Sequence, residues 1–270
     1  RLRSRGLGDV YKRQMKNRYK STFAWLGAML LLVACTPDNP ELGNIIPQSE
    51  LNFSITQNPE KDNIIYLENK TAGIIPYWDW GIGYSNKQKD TIQIRFAGEY
   101  EIKFHAFDNG GSQFTSEKVT VSKNDEDYFK DPVWNLLTNG SEGKTWVWNN
   151  DIPACYGNGS AGSVVPEWWQ VSYAEVVSNG WEVGEMVFDL NGAQNFGKTL
   201  DNGTIEKGFF NLDVDKKQLT ILNANILQGA AYADDGAAGS YYVITKLTEA
   251  EMTLARQGDG WQNTWVFKAK

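Results

Sequence analysis

Past its first fifty residues the chain is built of short runs in which apolar and polar positions alternate. Leu51, Phe53 and Ile55 form one such run, and Ile64-Ile65-Tyr66-Leu67 follows. Tyr77 to Gly83, Thr91 to Phe96, Gly98 to Phe104 and Val119-Thr120-Val121 continue the series, with a Gly110-Gly111 turn signal before the last. Further on come Thr145 to Trp148, Met186 to Leu190, Gly208 to Leu212, Gln218 to Leu222, Tyr241 to Leu247, Met252 to Arg256 and Thr264 to Lys268. Short alternating runs between Gly, Asn and Asp turn signals predict β-strands. No helix of any length is predicted after residue 34, so the expected fold class is all-β.

Successive side chains of a strand point to opposite faces, so the alternation also selects core positions. These are Met186, Phe188 and Leu190; Leu219 and Ile221; Val243 and Leu247; Met252 and Leu254; and Trp265 with Phe267. Thr248-Glu249-Ala250-Glu251 joins two runs as a hairpin. Residues 49–123 predict a small Ig-like sandwich. Residues 128–270 predict a jelly-roll-like β-sandwich or a squat barrel, and the pattern leaves these two open. Between them Ser122-Lys123-Asn124-Asp125-Glu126-Asp127 reads as a solvated linker.

The N-terminal part reads differently. Residues 1–14 are basic, lack hydrophobic period and precede the first Met, as translated sequence upstream of a true start would. From Met15, Lys16, Arg18 and Lys20 precede the apolar run Phe23 to Val33, which is the layout of a signal peptide over 15–34. The run is shorter than the roughly 20 apolar residues that span a bilayer. It ends in Leu32-Val33-Ala34-Cys35, the lipobox pattern, in which Cys35 is the lipidation site. Residues 35–48 are rich in Pro and Asn and read as a tether. The expected location is the cell envelope, with a lipid anchor as the only membrane contact and the outer membrane facing the exterior.

Removing that leader changes the charge. The first 34 residues hold 8 of the 26 Lys+Arg and 1 of the 33 Asp+Glu, which leaves 18 against 32, a net of −14. Such a surface repels phosphate backbones and polyanionic glycans, so nucleic acid is excluded as a partner and a neutral ligand is favoured. With Cys35 taken by the anchor, Cys155 has no disulfide partner and reads as a small buried apolar residue.

Eight of the eleven Trp lie in residues 131–270. A Trp face stacks on the C–H groups of a pyranose while polar neighbours bond its hydroxyls. Trp168-Trp169 is the leading pair, in a Gly-, Pro- and Ser-rich stretch, Gly157 to Gln170, that reads as a long loop. Adjacent side chains of an extended segment cannot both enter one core, so one of the two is expected to be exposed. Trp148, Tyr156 and Trp181 are the next candidates, Trp181 at the start of a strand, and Asn158 and Glu167 could bond sugar hydroxyls. In the first module Trp78 and Trp80 share a face and read as core.

Two resemblances add to this. The order Tyr77-Trp78-Asp79-Trp80-Gly81-Ile82-Gly83, Phe96-Ala97-Gly98-Glu99-Tyr100 and Val119-Thr120-Val121 resembles the polycystic-kidney-disease (PKD) repeat. That family usually has Asp where Ile82 stands, so no ligand role is carried over there, and the resemblance implies a spacer. Trp134 to Gly140, Lys144 to Trp148, Pro166-Glu167-Trp168-Trp169 and the closing Tyr242, Ile244, Met252-Thr253-Leu254 and Trp265-Val266-Phe267 resemble a second group. These are the PKD-containing surface glycan-binding lipoproteins of Bacteroidetes polysaccharide-utilisation systems and related modules of β-glucanases. Ala154-Cys155-Tyr156-Gly157 replaces that group's Gly-His-aromatic-Gly, so the contact of its His is not carried over. The resemblance implies non-catalytic capture of a neutral polysaccharide or oligosaccharide such as a β-glucan, beside an outer-membrane glycan transporter complex.

Enzyme motifs are sparse. His105, the single His, lies in a predicted strand of the first module, away from any Ser-His-Asp arrangement. Glu182, Glu185 and Asp189 are the carboxylates that a weak glycoside hydrolase or accessory subunit would use; a solvated strand face explains them as well. Asp234-Asp235-Gly236 could ligate Ca²⁺ but reads as a plain turn. No cofactor, metal cluster or catalytic residue is expected. A third reading is a structural or adhesive envelope lipoprotein with every Trp in the core.

Overall fold

A computed structural model describes residues 42–229 and 241–270. The expected signal peptide, the Cys35 lipidation site, the first half of the tether and Asp234-Asp235-Gly236 lie outside the described residues. The main body comprises Ile45–Asp108 and Ser112–Lys270; a small separate unit holds 42–44 with Asn109–Gly111, where the Gly43 amide donates to the Asn109 carbonyl at 3.1 Å. No helix among the described residues is long and apolar enough to cross a membrane.

The fold is all-β. In the first module β1 (Phe53–Gln57), β2 (Ile64–Asn69) and β5 (Lys89–Gln93) form one sheet in the order β1-β2-β5. The second sheet contains β3 (Ile75–Asp79), β4 (Tyr84–Ser85), β6 (Gly98–Asp108) and β7 (Gly111–Val121), in the order β4-β3-β6-β7. Ile65, Leu67, Trp78, Ile92, Ile102 and Phe104 are buried in one apolar cluster of this Ig-like sandwich. Trp78 is fully buried and Trp80 packs against the same cluster, half-buried.

The second module resolves the choice between sandwich and barrel in favour of a closed barrel. Its strands are β8 (Lys144–Trp148), β9 (Tyr156–Ser160), β10 (Trp169–Val171), β11 (Gly184–Asp189), β12 (Asn195–Leu200), β13 (Ile205–Asp213), β14 (Gln218–Leu222), β15 (Tyr241–Leu247), β16 (Glu251–Gln257) and β17 (Trp261–Ala269). From β11 to β17 each strand pairs antiparallel with the next. β8 closes the ring against both β11 and β17, which makes eight strands among the described residues. Trp146, Met186, Phe188, Phe210, Ile221, Leu254 and Phe267 fill the interior, as side chains do in small barrels.

Several expectations need correction. Two short α-helices occur among the described residues, Pro132–Thr138 and Tyr173–Ser178, besides a single 3-10 turn at Gln48–Glu50. The first starts on Asp131, whose side chain accepts the Val133 amide with Pro132 at the first helical position, and it ends on Asn139 in the left-handed region. The second has a capping box, Ser172 with Glu175. Both are too short to show a hydrophobic period, which hid them. In β15 the buried residues are Tyr242 and Ile244 rather than Val243, while the register shift between Ile244 and Lys246 changes the phase of the alternation and lets Leu247 pack, partly buried, against the core. Trp181 precedes β11 rather than starting a strand. Thr253, Thr264 and Val266 are buried along with their neighbours, so β16 and β17 are covered on both faces.

The acidic seam is also not a solvated linker throughout. The Asp125 side chain is fully buried, 2.7 Å from the Lys61 ammonium, and it accepts bonds from Gln93 Nε2 and, at 3.1 Å, from the Asp127 amide. Its own amide donates to the Arg95 carbonyl at 2.8 Å, which ties the segment to the first sandwich. Next to it, Asn124 accepts from the Ala97 amide (2.8 Å) and donates to the Leu190 carbonyl (2.9 Å). Burial by itself raises the Asp125 pKa, but the Lys61 ammonium and the backbone amides outweigh it and hold the carboxyl below its usual value. A depressed folded pKa gives stability that is complete above the unfolded value of about 3.9 and is lost as pH falls through the folded one. Asp125→Ala is therefore expected to lower the unfolding free energy by about 3 kcal/mol at neutral pH, since a buried pair is broken. In urea titrations the gap to the parent should shrink below about pH 4; equal stability at pH 7 would show that the pair contributes nothing.

Candidate functional site

The last strand serves two partners along its length. Phe267, Lys268 and Ala269 of β17 pair with β8 and close the barrel. Trp261 to Trp265 pair instead with β9, from Trp261 opposite Ser160 to Trp265 opposite Tyr156. β10 adds to the far side of β9, Trp169 opposite Asn158 and Val171 opposite Tyr156. Three short strands thus form a ledge beside the barrel. The stretch Gly157 to Gln170, expected as one long loop, contains most of β9 and the start of β10. Its glycines hid the strand, and packing explains them. Gly157 has φ 147°, and a Cβ there would stand 1.9 Å from the Trp169 carbonyl oxygen. Only glycine lets β10 approach that closely.

Alternation places Tyr156, Trp169 and Trp265 on one face of the ledge. Tyr156 is the centre of an aromatic nest. Its ring centroid lies 5.5 Å from Trp169, 5.7 Å from Trp181, 5.5 Å from Trp265 and 6.1 Å from Trp148. Trp169 and Trp181 meet edge to face at 6.3 Å above it. Tyr156 and Trp148, read from sequence as ligand contacts, are 1% and 2% exposed. They form the floor that supports Trp169 and Trp181 and present no face to solvent. Gly229 lies flat on the Tyr156 ring, where a Cβ would come within 2.4 Å.

The other face of the ledge is covered by the chain between β9 and β10. The Gly162 amide donates to Gln262 Oε1 at 2.7 Å, Gln262 Nε2 donates to the Ser163 carbonyl at 2.7 Å, and Thr253 Oγ1 donates to the Val164 carbonyl at 3.1 Å. The Glu167 and Trp168 amides both donate to the Asn158 carbonyl at 3.0 Å. The loop is thereby fixed at both ends, and Trp168 leaves it as an exposed residue, 62% accessible. Trp169 is half-buried against the core.

The polar candidates are engaged in building this loop. Asn158 Oδ1 accepts the Trp169 amide at 3.1 Å. Glu167 accepts the Ser160 amide at 3.0 Å, and that bond holds its carboxyl below the usual pKa. Cys155 is fully buried beside Tyr156, and burial pushes its thiol up to about 11, so it remains protonated and inert.

The carboxylates considered for hydrolysis have structural partners. Lys198, inward on β12 and almost wholly buried, donates to both oxygens of Glu182 (3.1 and 2.9 Å) and sits 3.1 Å from Glu206. Glu182 also accepts the Gln228 amide at 2.8 Å, and its carbonyl accepts the Trp148 indole at 2.8 Å. This clamp fixes the segment that carries Trp181. Glu185 pairs with Lys270, and Asp189 accepts from Asn191 and Asn195. Among the described residues no group of three or more His, Cys, Asp or Glu is placed to hold a metal ion.

Sequence reasoning missed two residues of this region. Trp261 is half-exposed at the end of the ledge, hidden behind the Gly258-Asp259-Gly260 turn. Lys198 gave no signal, since a lysine in an alternating strand reads as outward-facing.

No protein-family profile and no curated relative matches the chain. A solved structure of a carbohydrate-binding module from the β-sandwich superfamily aligns over 83% of this chain and 92% of its own, at 13% identity and a TM-score of 0.24. An overlap that low carries no argument about fold or ligand.

Removing Glu182 would leave Lys198 buried with Glu206 alone. Glu182→Ala is expected to cost about 3 kcal/mol in urea unfolding and to alter Trp fluorescence as Trp181 loosens. A variant of unchanged stability that instead lost a sugar-releasing activity would reassign Glu182 to catalysis.

Proposed function

We propose that the C-terminal barrel binds a neutral polysaccharide or oligosaccharide without cleaving it, at the aromatic ledge. The observation that carries this reading is Trp168, a residue with a planar apolar ring left 62% exposed on a loop whose backbone is hydrogen-bonded on both sides. Such a ring offers a flat stacking face, and a fixed backbone means that less of it has to be ordered when a partner arrives. Trp169 and Trp181, held from below by Tyr156 and Trp148, supply further half-exposed aromatic surface, and Trp261 extends it along the ledge. The net charge of −14 on residues 35–270 favours an uncharged ligand. The carboxylates are held in ion pairs and turns, an arrangement suited to structure rather than proton transfer. In this reading a β-glucan is the leading ligand. The protein is tethered through Cys35 to the outer membrane of a bacterial cell, exterior-facing, where it hands glycan to a transporter complex.

Affinity electrophoresis against laminarin, mixed-linkage β-glucan, xyloglucan, xylan and mannan tests the reading, with released sugar assayed in parallel. Retardation without released sugar is expected. Trp168→Ala should weaken binding by roughly 1–3 kcal/mol by calorimetry with folding intact. Unchanged affinity in that variant would remove Trp168 from the site, and released sugar would make the protein an enzyme.

A further inference from the structure

The first module carries an aromatic row that its spacer role leaves without a purpose. On the outer face of the sheet β4-β3-β6-β7, each strand contributes one ring in sheet order: Tyr84, Tyr77, His105 and Phe114. Their centroids are 5.6, 5.8 and 5.3 Å apart, so each ring touches the next. Tyr77 stands directly opposite His105 in the β3–β6 register. The opposite face of the same strands buries Trp78, Ile102 and Phe104, so the row is no part of the core. Its ends are open: Tyr84 is 69% and Phe114 54% exposed. Ile75 and Phe107, paired with each other across β3 and β6, widen the patch on one side.

We propose that this row is a second carbohydrate-binding platform, which holds another stretch of the same neutral glycan chain that the barrel ledge binds. The inference rests on the glycan reading of the barrel. Four features commit the row to this occupant. The rings run in line across a sheet, a shape that suits an extended chain, whereas protein hot spots gather in central pockets. Neighbouring charges on the face are of both signs, Lys118 paired with Glu99 at 2.6 Å and Asp79 opposite Lys103 in the β3–β6 register. Glu101 accepts a bond from Ser116 at 2.7 Å and keeps its charge, so no cationic cluster is present to draw an anionic chain. The row therefore complements an uncharged ligand. The Tyr77 and Tyr84 hydroxyls and the His105 imidazole make no hydrogen bond among the described residues, which leaves polar tips beside apolar faces for sugar hydroxyls. A second copy of the chain is disfavoured, because two bodies of net charge −14 repel one another. Two weak platforms on one chain raise the avidity for a long polysaccharide without any tighter single contact.

His105 is the single His of the protein, so its imidazole signals report on the centre of the row without assignment ambiguity. The experiment is an NMR titration of the untagged full chain with laminarin oligosaccharides, following the His105 ring protons, in the parent, in Trp168→Ala and in the double variant Tyr84→Ser/Phe114→Ser. The His105 signals should shift saturably in the parent and in Trp168→Ala. The double variant changes exposed side chains only; it should keep the parent's thermal midpoint and lose about tenfold in retention by polymeric laminarin. His105 signals that stay fixed while indole signals of the barrel shift would overturn this proposal and leave the barrel site standing. His105 shifts together with unchanged binding in Trp168→Ala would uphold the row and remove Trp168 from the ledge. Signals that broaden with protein concentration in the absence of sugar would overturn it in favour of self-association, as would a row that stays silent across the whole neutral panel.

Discussion

The second module depends on one strand with two sets of partners. The far end of β17 pairs with β8 and closes the barrel; its near end pairs with β9 and carries the ledge. Closure removes the exposed edges that an eight-stranded sheet would otherwise present. It also brings Trp148 beside Phe267, from opposite ends of the module, with ring centroids 4.9 Å apart. Contacts so distant in sequence must offset a loop-closure cost, and β17 supplies both the one that closes the barrel and the one that carries the ledge. The aromatic nest about Tyr156 lies where these two halves meet. Its lower rings are core and its upper rings lead to solvent.

That arrangement explains why the module uses so many Trp. A barrel of eight strands has an interior just wide enough for side chains, and large rings fill it with few of them. Trp146, Trp148 and Trp265 serve this purpose. Trp169 and Trp181 extend the same packing outward and are held rigid by it. Rigidity has two sources here, one apolar and one ionic. Tyr156 supports the indoles from below, while buried Lys198 and Glu182 clamp the chain that bears Trp181. A buried ion pair contributes modestly to net stability, but its geometry fixes where its segment runs.

The first module follows the same rule with a different outcome. Its inner face packs Trp78 against Phe104 with centroids 4.4 Å apart, and that alone suffices for a small sandwich. The outer aromatic row adds nothing to this core. Exposed aromatics that touch each other across four strands cost solubility, which is the physical reason to look for something that covers them. Asp125 and Asn124 shape the join between the modules, and their buried bonds replace what composition suggested was free chain.

The sequence by itself determined the class of fold and most strand positions. Alternation is a local property, and it located runs such as Gln218 to Leu222 and Tyr241 to Leu247 at their observed ends. It also determined that one of Trp168 and Trp169 must face outward, because adjacent residues of extended chain cannot share a face. What local pattern cannot hold is pairing. Whether the last strand meets β8 decides between sandwich and barrel, and no residue of either strand announces it. Nor could composition tell Trp148 from Trp168, since burial depends on what the rest of the chain lays over a ring. The same holds for Asp125 and Lys198, charged residues whose partners lie in other strands and loops. Tertiary structure decided these points, because each is a relation between distant segments rather than a property of either one.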